Sequence, residues 1–143
     1  MAVDVRYKTS ATAWGGRQGK AKSHDGKLDI YLTTPVELGG PGGDGTNPEQ
    51  LFALGYAGCF HSALKLVARS KGVDLTDSAV SVEVGIGLDD SDGGFGLTVA
   101  IEAEMPGINE ALALELVELA HQTCPYSKAT MGNIKVTLTV TSE

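Results

Sequence analysis

The sequence predicts an α+β fold with mainly antiparallel pairing. Three observations carry the prediction. Short stretches alternating apolar and polar residues lie in both halves of the chain, and two stretches of helical periodicity interrupt them in the order β-β-β-α-β-β-α-β. Two glycine-rich clusters, "GGPGGDGTN" (39–47) and "DDSDGGFG" (89–96), punctuate that order as turns or loops. With 143 residues, 42% of them hydrophobic and 20% charged, the chain fits one globular domain over 1–143 with a real core.

In chain order, 3–16, 19–23 and 28–34 read as an antiparallel meander. "WGGRQGK" and "SHDGK" supply its turns, the second through the Asp25-Gly26 hairpin signal. A long helix follows over about 47–71. Asn47 can cap it, Pro48 suits the first helical position, and Gln50 stands three residues after the cap. Gly72 marks its end. The alternating stretches 79–88 and 96–105 form a β-hairpin, 109–123 a second amphipathic helix ended before Pro125, and 133–142 a last strand.

The long helix is apolar around most of its circumference. Phe52, Tyr56, Cys59, Phe60, Ala63 and Val67 line one face, and Leu51, Leu54, Leu64 and Leu66 widen it. Such a helix must be covered on nearly all sides. The stripe Ala113, Leu116, Val117 and Ala120 of the second helix covers part, and a second copy of the chain is expected to cover the rest.

A net charge of −7 argues against nucleic acid as the main partner, because phosphate binding needs a basic patch. The start "MAVDVRYKTS" is polar and carries no secretory pattern, and no run is expected to span a bilayer. The cytoplasm is the expected compartment. Two cysteines there are more often reduced, metal-bound or redox-active than a structural staple.

Cys59 lies about thirteen residues into the long helix, where the amino-terminal dipole has faded and apolar surroundings keep a thiol protonated. A reactive thiolate needs a cation brought from elsewhere. Arg17, in a glycine-flanked turn, is the candidate. Glu49, in the first helical turn, could hold its guanidinium in a bidentate grip. Glu49 and Cys59 are about 15 Å apart along a straight helix, a span that an extended arginine between them could bridge. The plain alternatives are a solvated charge for Arg17 and a helix-dipole partner for Glu49, and spacing alone favours them. Cys124 is expected at the frayed end of the second helix, free to move towards a partner, or else as a second buried hydrophobe. Cys59-x-His61 and His121-x-x-Cys124 offer zinc-type ligands. Residues two apart on a helix point about 200° apart, so one ion cannot take both Cys59 and His61. His61 then reads as a helix-face histidine and His24 as a turn residue.

"GTNPEQLF", "GYAGCFHSALKLVA" and "TCPYSKATMGNIKVTLTV", with "GGRQGK" upstream, resemble the organic hydroperoxide resistance (Ohr) proteins of the Ohr/OsmC family, in order over essentially the whole chain. The glycine-rich arginine turn points to the Ohr branch. Lys128 and Met131 depart from the pattern, standing where an asparagine and often an arginine are expected, a change suited to tuning a partner surface. The resemblance implies an OsmC-like fold, with antiparallel sheets around a long central helix in an intertwined homodimer. It also implies a thiol peroxidase for organic hydroperoxides, with no cofactor, metal or flavin. On that reading Cys59 is the peroxidatic cysteine and Cys124 the resolving one, which close a disulfide through a Cys59 sulfenic acid. Arg17 stabilises the thiolate and polarises the peroxide, and Glu49 orients Arg17. A dithiol, such as a lipoyl group or a lipoylated protein, would reopen the disulfide. Phe52, Leu54, Phe60 and Tyr126 are candidates for lining the alkyl site. Two other classes stay open: a small-molecule binding module with incidental cysteines, and a metal-binding or redox-regulated protein. Peroxide-dependent thiol loss and metal analysis separate these from the peroxidase.

Overall fold

The computed structural model describes residues 2–142, and its backbone divides into two compact units, one ending at Leu51 and one beginning at Phe52. The first holds β1 (Ala11–Trp14), β2 (Gly19–Ser23) and β3 (Asp29–Leu32), an antiparallel sheet in that order. β1 is shorter than the alternation over 3–16 predicts. β2 ends at Ser23, and the bond from His24 N–H to the Ser10 carbonyl is the last rung available, so residues 2–9 lie exposed and pair with no strand among the described residues. β3 likewise stops at Leu32, where Thr33 N–H turns to the Thr46 carbonyl at 2.9 Å. That bond closes the glycine-rich loop, which carries an unforeseen 3-10 turn over Val36–Leu38, and delivers the chain to Asn47.

Helix α1 runs over Pro48–Ser70, close to the bounds the sequence predicts. Asn47 caps it, its Oδ1 accepting from Gln50 N–H at 2.8 Å. The reciprocal half of a capping box is absent, because Gln50 Oε1 accepts from Thr46 Oγ1 instead, at 2.6 Å. By length and composition α1 could cross a membrane, contrary to the expectation that no run is long enough. The cause is its wide apolar face, which carries few charges: Glu49, Lys65 and Arg69.

In the second unit, α1 is a core helix. Tyr56, Phe60 and Leu64 are fully buried, and Ala63 and Ala68 nearly so. They form one cluster with Val99, Ile101, Ala103 and Met105, and with Ala113, Leu116, Val117 and Ala120 of helix α2 (Glu110–Thr123). Asn109 caps α2 by accepting from Leu112 N–H at 2.9 Å, a type of bond that stabilises a helix by about 1 kcal/mol. The sheet is β4 (Ala79–Leu88), β5 (Phe95–Glu104) and β6 (Val136–Thr141). β4 and β5 are the antiparallel hairpin the alternation predicts. β6 pairs parallel to β5, from Val99↔Val136 to Glu104↔Thr141, which corrects the expectation of antiparallel sheets. The helical crossover between these strands lets the chain return in the same direction, which a tight turn cannot do.

That crossover corrects a second expectation. Pro125 does not leave a frayed end. It opens a further helix, α3 (Pro125–Thr130), because a proline at the first helical position forfeits only an amide that has no helical partner. Cys124 is both the last cap of α2 and the first of α3, and it is fully buried. The other side of α1 stays open, with Leu54 at 74% and Leu66 at 53% exposure.

Candidate active site

Two constellations of sequence-predicted residues form, one in each unit. In the first, the β1–β2 turn holds Arg17. The turn is tight: Gln18 N–H donates to the Gly15 carbonyl at 3.1 Å, and Gly15 has φ +97°. A Cβ at Gly19 would sit 1.9 Å from the Trp14 carbonyl oxygen, so glycine is required there too. Held by that turn, Arg17 Nη1 and Nη2 donate to Glu49 Oε1 and Oε2 at 2.7 and 2.8 Å. This is the two-pronged geometry that guanidinium and carboxylate match. The bond to Arg17 holds the Glu49 carboxyl below its usual range, against the opposing effect of burial, and the same bond raises Arg17.

The pair therefore predicts an acid limb. A depressed carboxyl contributes stability that is present above its unfolded pKa and lost as pH falls through the folded value. Acid unfolding should show a component below the ordinary glutamate range that Glu49→Gln removes. The expected effect is modest, because Arg17 is about one-third exposed and water screens the pair. Superimposable acid limbs for the two proteins would refute it.

In the second unit, α1 presents Cys59 and the α2–α3 junction presents Cys124. The Cys124 thiol donates to Cys59 Sγ at 3.4 Å, and both cysteines are free. Cys59 is half-buried, whereas Cys124 is fully buried. Burial pushes the Cys59 thiol up. The Tyr126 backbone N–H works against that rise, and the neighbouring Cys124 adds to it. The surroundings within this unit thus favour the thiol over the thiolate at Cys59.

The aromatic candidates divide. Phe52 and Tyr126 stack with ring centroids 6.2 Å apart, and Tyr56 meets both, at 5.8 and 5.7 Å. Gly55 makes room for this, since a Cβ there would lie 3.1 Å from the Tyr126 hydroxyl. Tyr126 is 40% exposed, Leu54 faces outwards, and Phe60 is sealed in the core. The two helix histidines are each hydrogen-bonded through one ring nitrogen: His61 Nε2 to Ser78 Oγ and His121 Nδ1 to Ser127 Oγ, each at 2.8 Å.

Sequence reasoning passed over one group. Tyr56, Ser127 and Thr130 have buried hydroxyls joined at 2.8 and 3.1 Å, and His121 joins them through Ser127. The available signal was the spacing of Ser127 and Thr130, one helical turn apart just after a proline that can open a helix.

The OsmC-like protein family profile matches residues 40–139. An organic hydroperoxide resistance protein of Xanthomonas axonopodis pv. citri is 53% identical over 136 residues, 95% of each chain. The chain belongs to the Ohr/OsmC family. Solved structures of the family agree over the whole fold. An organic hydroperoxide resistance protein from Elizabethkingia anophelis superposes with a TM-score of 0.92 at 47% identity, covering 99% of this chain and 100% of that one. One from Legionella pneumophila gives 0.91 at 46% identity, covering 96% and 99%. The α+β fold, with its sheets and long central helix, is thus the Ohr/OsmC fold. Lys128 and Met131, the two departures noted in the sequence, are both exposed around α3 in this family member.

Proposed function

We propose that the protein is a cysteine-based peroxidase that reduces organic hydroperoxides to alcohols in the cytoplasm. The observation that carries this is the pair of free sulfurs 3.4 Å apart, one half-buried and one sealed. Family membership supports the substrate class. Cys59 thiolate attacks the terminal peroxide oxygen, the O–O bond breaks, and the alkoxide leaves and takes a proton to become the alcohol. Cys59 is then a sulfenic acid. Cys124 attacks that sulfur, hydroxide departs with a proton as water, and the disulfide closes. A dithiol, lipoyl in type, returns both thiols by exchange and is itself oxidised to a disulfide.

Because burial keeps the Cys59 thiol up, the reaction needs a positive charge, and Arg17 held by Glu49 is the group we assign to that task. It would stabilise the thiolate and then the charge on the departing oxygen. Phe52 and Tyr126 would form the apolar wall for the alkyl group. Leu54 would meet it only from the surface, and Phe60 would support the wall from within. Steady-state turnover tests the function, comparing cumene, lipid and hydrogen peroxides with dihydrolipoamide, thioredoxin and glutathione as reductants. Organic peroxide with dihydrolipoamide should be the fastest combination. Failure to consume organic peroxide with any of the three would end this reading.

The open side of α1 supports an obligate homodimer over 1–143, since exposed Leu54 and Leu66 call for cover. Sedimentation at low micromolar concentration should give about twice the 14.8 kDa chain mass. A folded monomer there would mean that α1 tolerates its open face.

A further inference from the structure

The hydroxyl cluster beside the cysteines has only one proton order that satisfies every contact. Thr130 Oγ1 donates to the Ser127 carbonyl at 3.1 Å, and a carbonyl only accepts. With that proton committed, the 3.1 Å contact to Thr130 Oγ1 uses the Tyr56 proton. Tyr56 oxygen must then accept from Ser127 Oγ, 2.8 Å away. Ser127, its own proton spent, accepts from His121 Nδ1 at 2.8 Å. His121 therefore carries its hydrogen on Nδ1, and the chain runs one way, from His121 through Ser127 and Tyr56 to Thr130.

The placement of this chain matters as much as its order. Tyr56 precedes Cys59 by three residues on α1, one helical turn away on the same side. Ser127 follows Cys124 by three residues and lies in α3. The Tyr56–Ser127 bond thus ties the two sulfur-bearing segments together one turn from the 3.4 Å sulfur contact. His121 adds the last turn of α2 to the tie. Directed bonds between buried hydroxyls fix a separation in a way that apolar packing does not, because a slip leaves a buried donor unmet.

We propose that Tyr56 and Ser127, with His121 and Thr130 at the two ends of the chain, are positioning residues for disulfide closure between Cys124 and Cys59. This rests on the peroxidase reading above. The step they serve is Cys59–SOH plus Cys124–SH giving the disulfide and water: the S–S bond forms, the S–O bond breaks, and the thiol proton leaves with the hydroxyl. Disulfide geometry is narrow, so this step is sensitive to the placement of Cys124. The preceding attack on peroxide does not involve the Cys124 sulfur and is not.

The test is a single turnover of the full chain with one equivalent of cumene hydroperoxide, with dimedone present to trap sulfenic acid. Tyr56→Phe keeps the ring and removes the donor, and Ser127→Ala breaks the chain at its centre. Ser78→Ala is the control, since it removes the hydroxyl that meets His61 on the same helix. Tyr56→Phe and Ser127→Ala should consume peroxide at the wild-type rate but close the disulfide about tenfold more slowly, so that trapped Cys59 accumulates. Ser78→Ala should partition like the wild type. Wild-type closure in a folded Tyr56→Phe protein would overturn the proposal, even if Ser127→Ala fails to fold. A slowdown shared equally by Ser78→Ala would overturn it too, since any lost hydrogen bond would then suffice. Nitrogen NMR of the imidazoles should find neutral His121 protonated on Nδ1, and protonation on Nε2 would overturn the proton order. A wild-type protein whose thiols survive peroxide would overturn the peroxidase reading first and this inference with it.

Discussion

Replacing Cys59 with serine should abolish peroxide reduction, whereas replacing Cys124 with serine should permit one turnover and then stop. The two sulfurs are neighbours, yet their surroundings differ. Cys59 is half-buried, so a peroxide can meet it, while Cys124 is sealed at the junction of α2 and α3. A sealed thiol cannot be the first nucleophile for a substrate carrying an alkyl chain. It can only take over the sulfur that the substrate has oxidised. Without Cys124, the Cys59 sulfenic acid has no second cysteine in the chain to condense with, since the sequence contains two cysteines in all. It should therefore persist, and with excess peroxide advance to the sulfinic acid. Mass spectrometry after one equivalent and then ten equivalents of cumene hydroperoxide reads both stages. A Cys59→Ser protein with normal turnover would sink the mechanism. A Cys124→Ser protein that cycles at the wild-type rate would show that an external thiol resolves the sulfenic acid directly.

The parts of this site that local chemistry determines were legible in the sequence. Asn47-Pro48 marks the start of α1 because capping and a missing amide are properties of those residues alone. The β4–β5 hairpin followed from alternation, which needs no partner outside the pair. Arg17 and Glu49 could be named, but spacing favoured solvated charges. Only the fold could decide between that and the bidentate pair, because the partners are 32 residues apart and meet through a turn that depends on glycine. The same limit explains why a frayed helix end was expected at Cys124, although the alternative of a buried position holds. Proline ends one helix and begins the next, and a sequence pattern shows the ending more readily than the beginning. Parallel pairing of β6 was hidden for a related reason: an alternating strand looks the same whichever direction its neighbour runs. The hydroxyl chain needs three side chains more than seventy positions apart at its extremes to meet in one place, and the helical spacing of Ser127 and Thr130 does not by itself bring in Tyr56.

Arg17→Ala should slow the peroxide step by on the order of 10²-fold or more and shift the Cys59 titration to higher pH. The argument starts from the thiol. Burial already pushes Cys59 up, with only the Tyr126 backbone N–H working against the rise. If Arg17 supplies the missing charge, removing it leaves the thiolate without a cationic partner in a partly desolvated site, where charge is worth most. The same loss strips stabilisation from the oxygen that departs when the O–O bond breaks, so the rate falls even at a pH where the thiol has ionised. Glu49→Gln should do less, because it loosens the 2.7 and 2.8 Å grip without removing the positive charge. Arg17→Lys should fall between the two, since lysine keeps the charge and loses the two-pronged geometry. Preference for alkyl over hydrogen peroxide should largely survive all three changes, because it arises from apolar contacts with the alkyl group and not from the charge. Stopped-flow oxidation of each variant by both peroxides, from acid to alkaline pH, separates these effects: the pH midpoint reports the thiolate, the plateau reports the transition state, and the ratio of the two peroxides reports the wall. Should Arg17→Ala retain the wild-type midpoint and plateau, Arg17 would be no more than a structural partner of Glu49, and the charge that ionises Cys59 would have to come from another group.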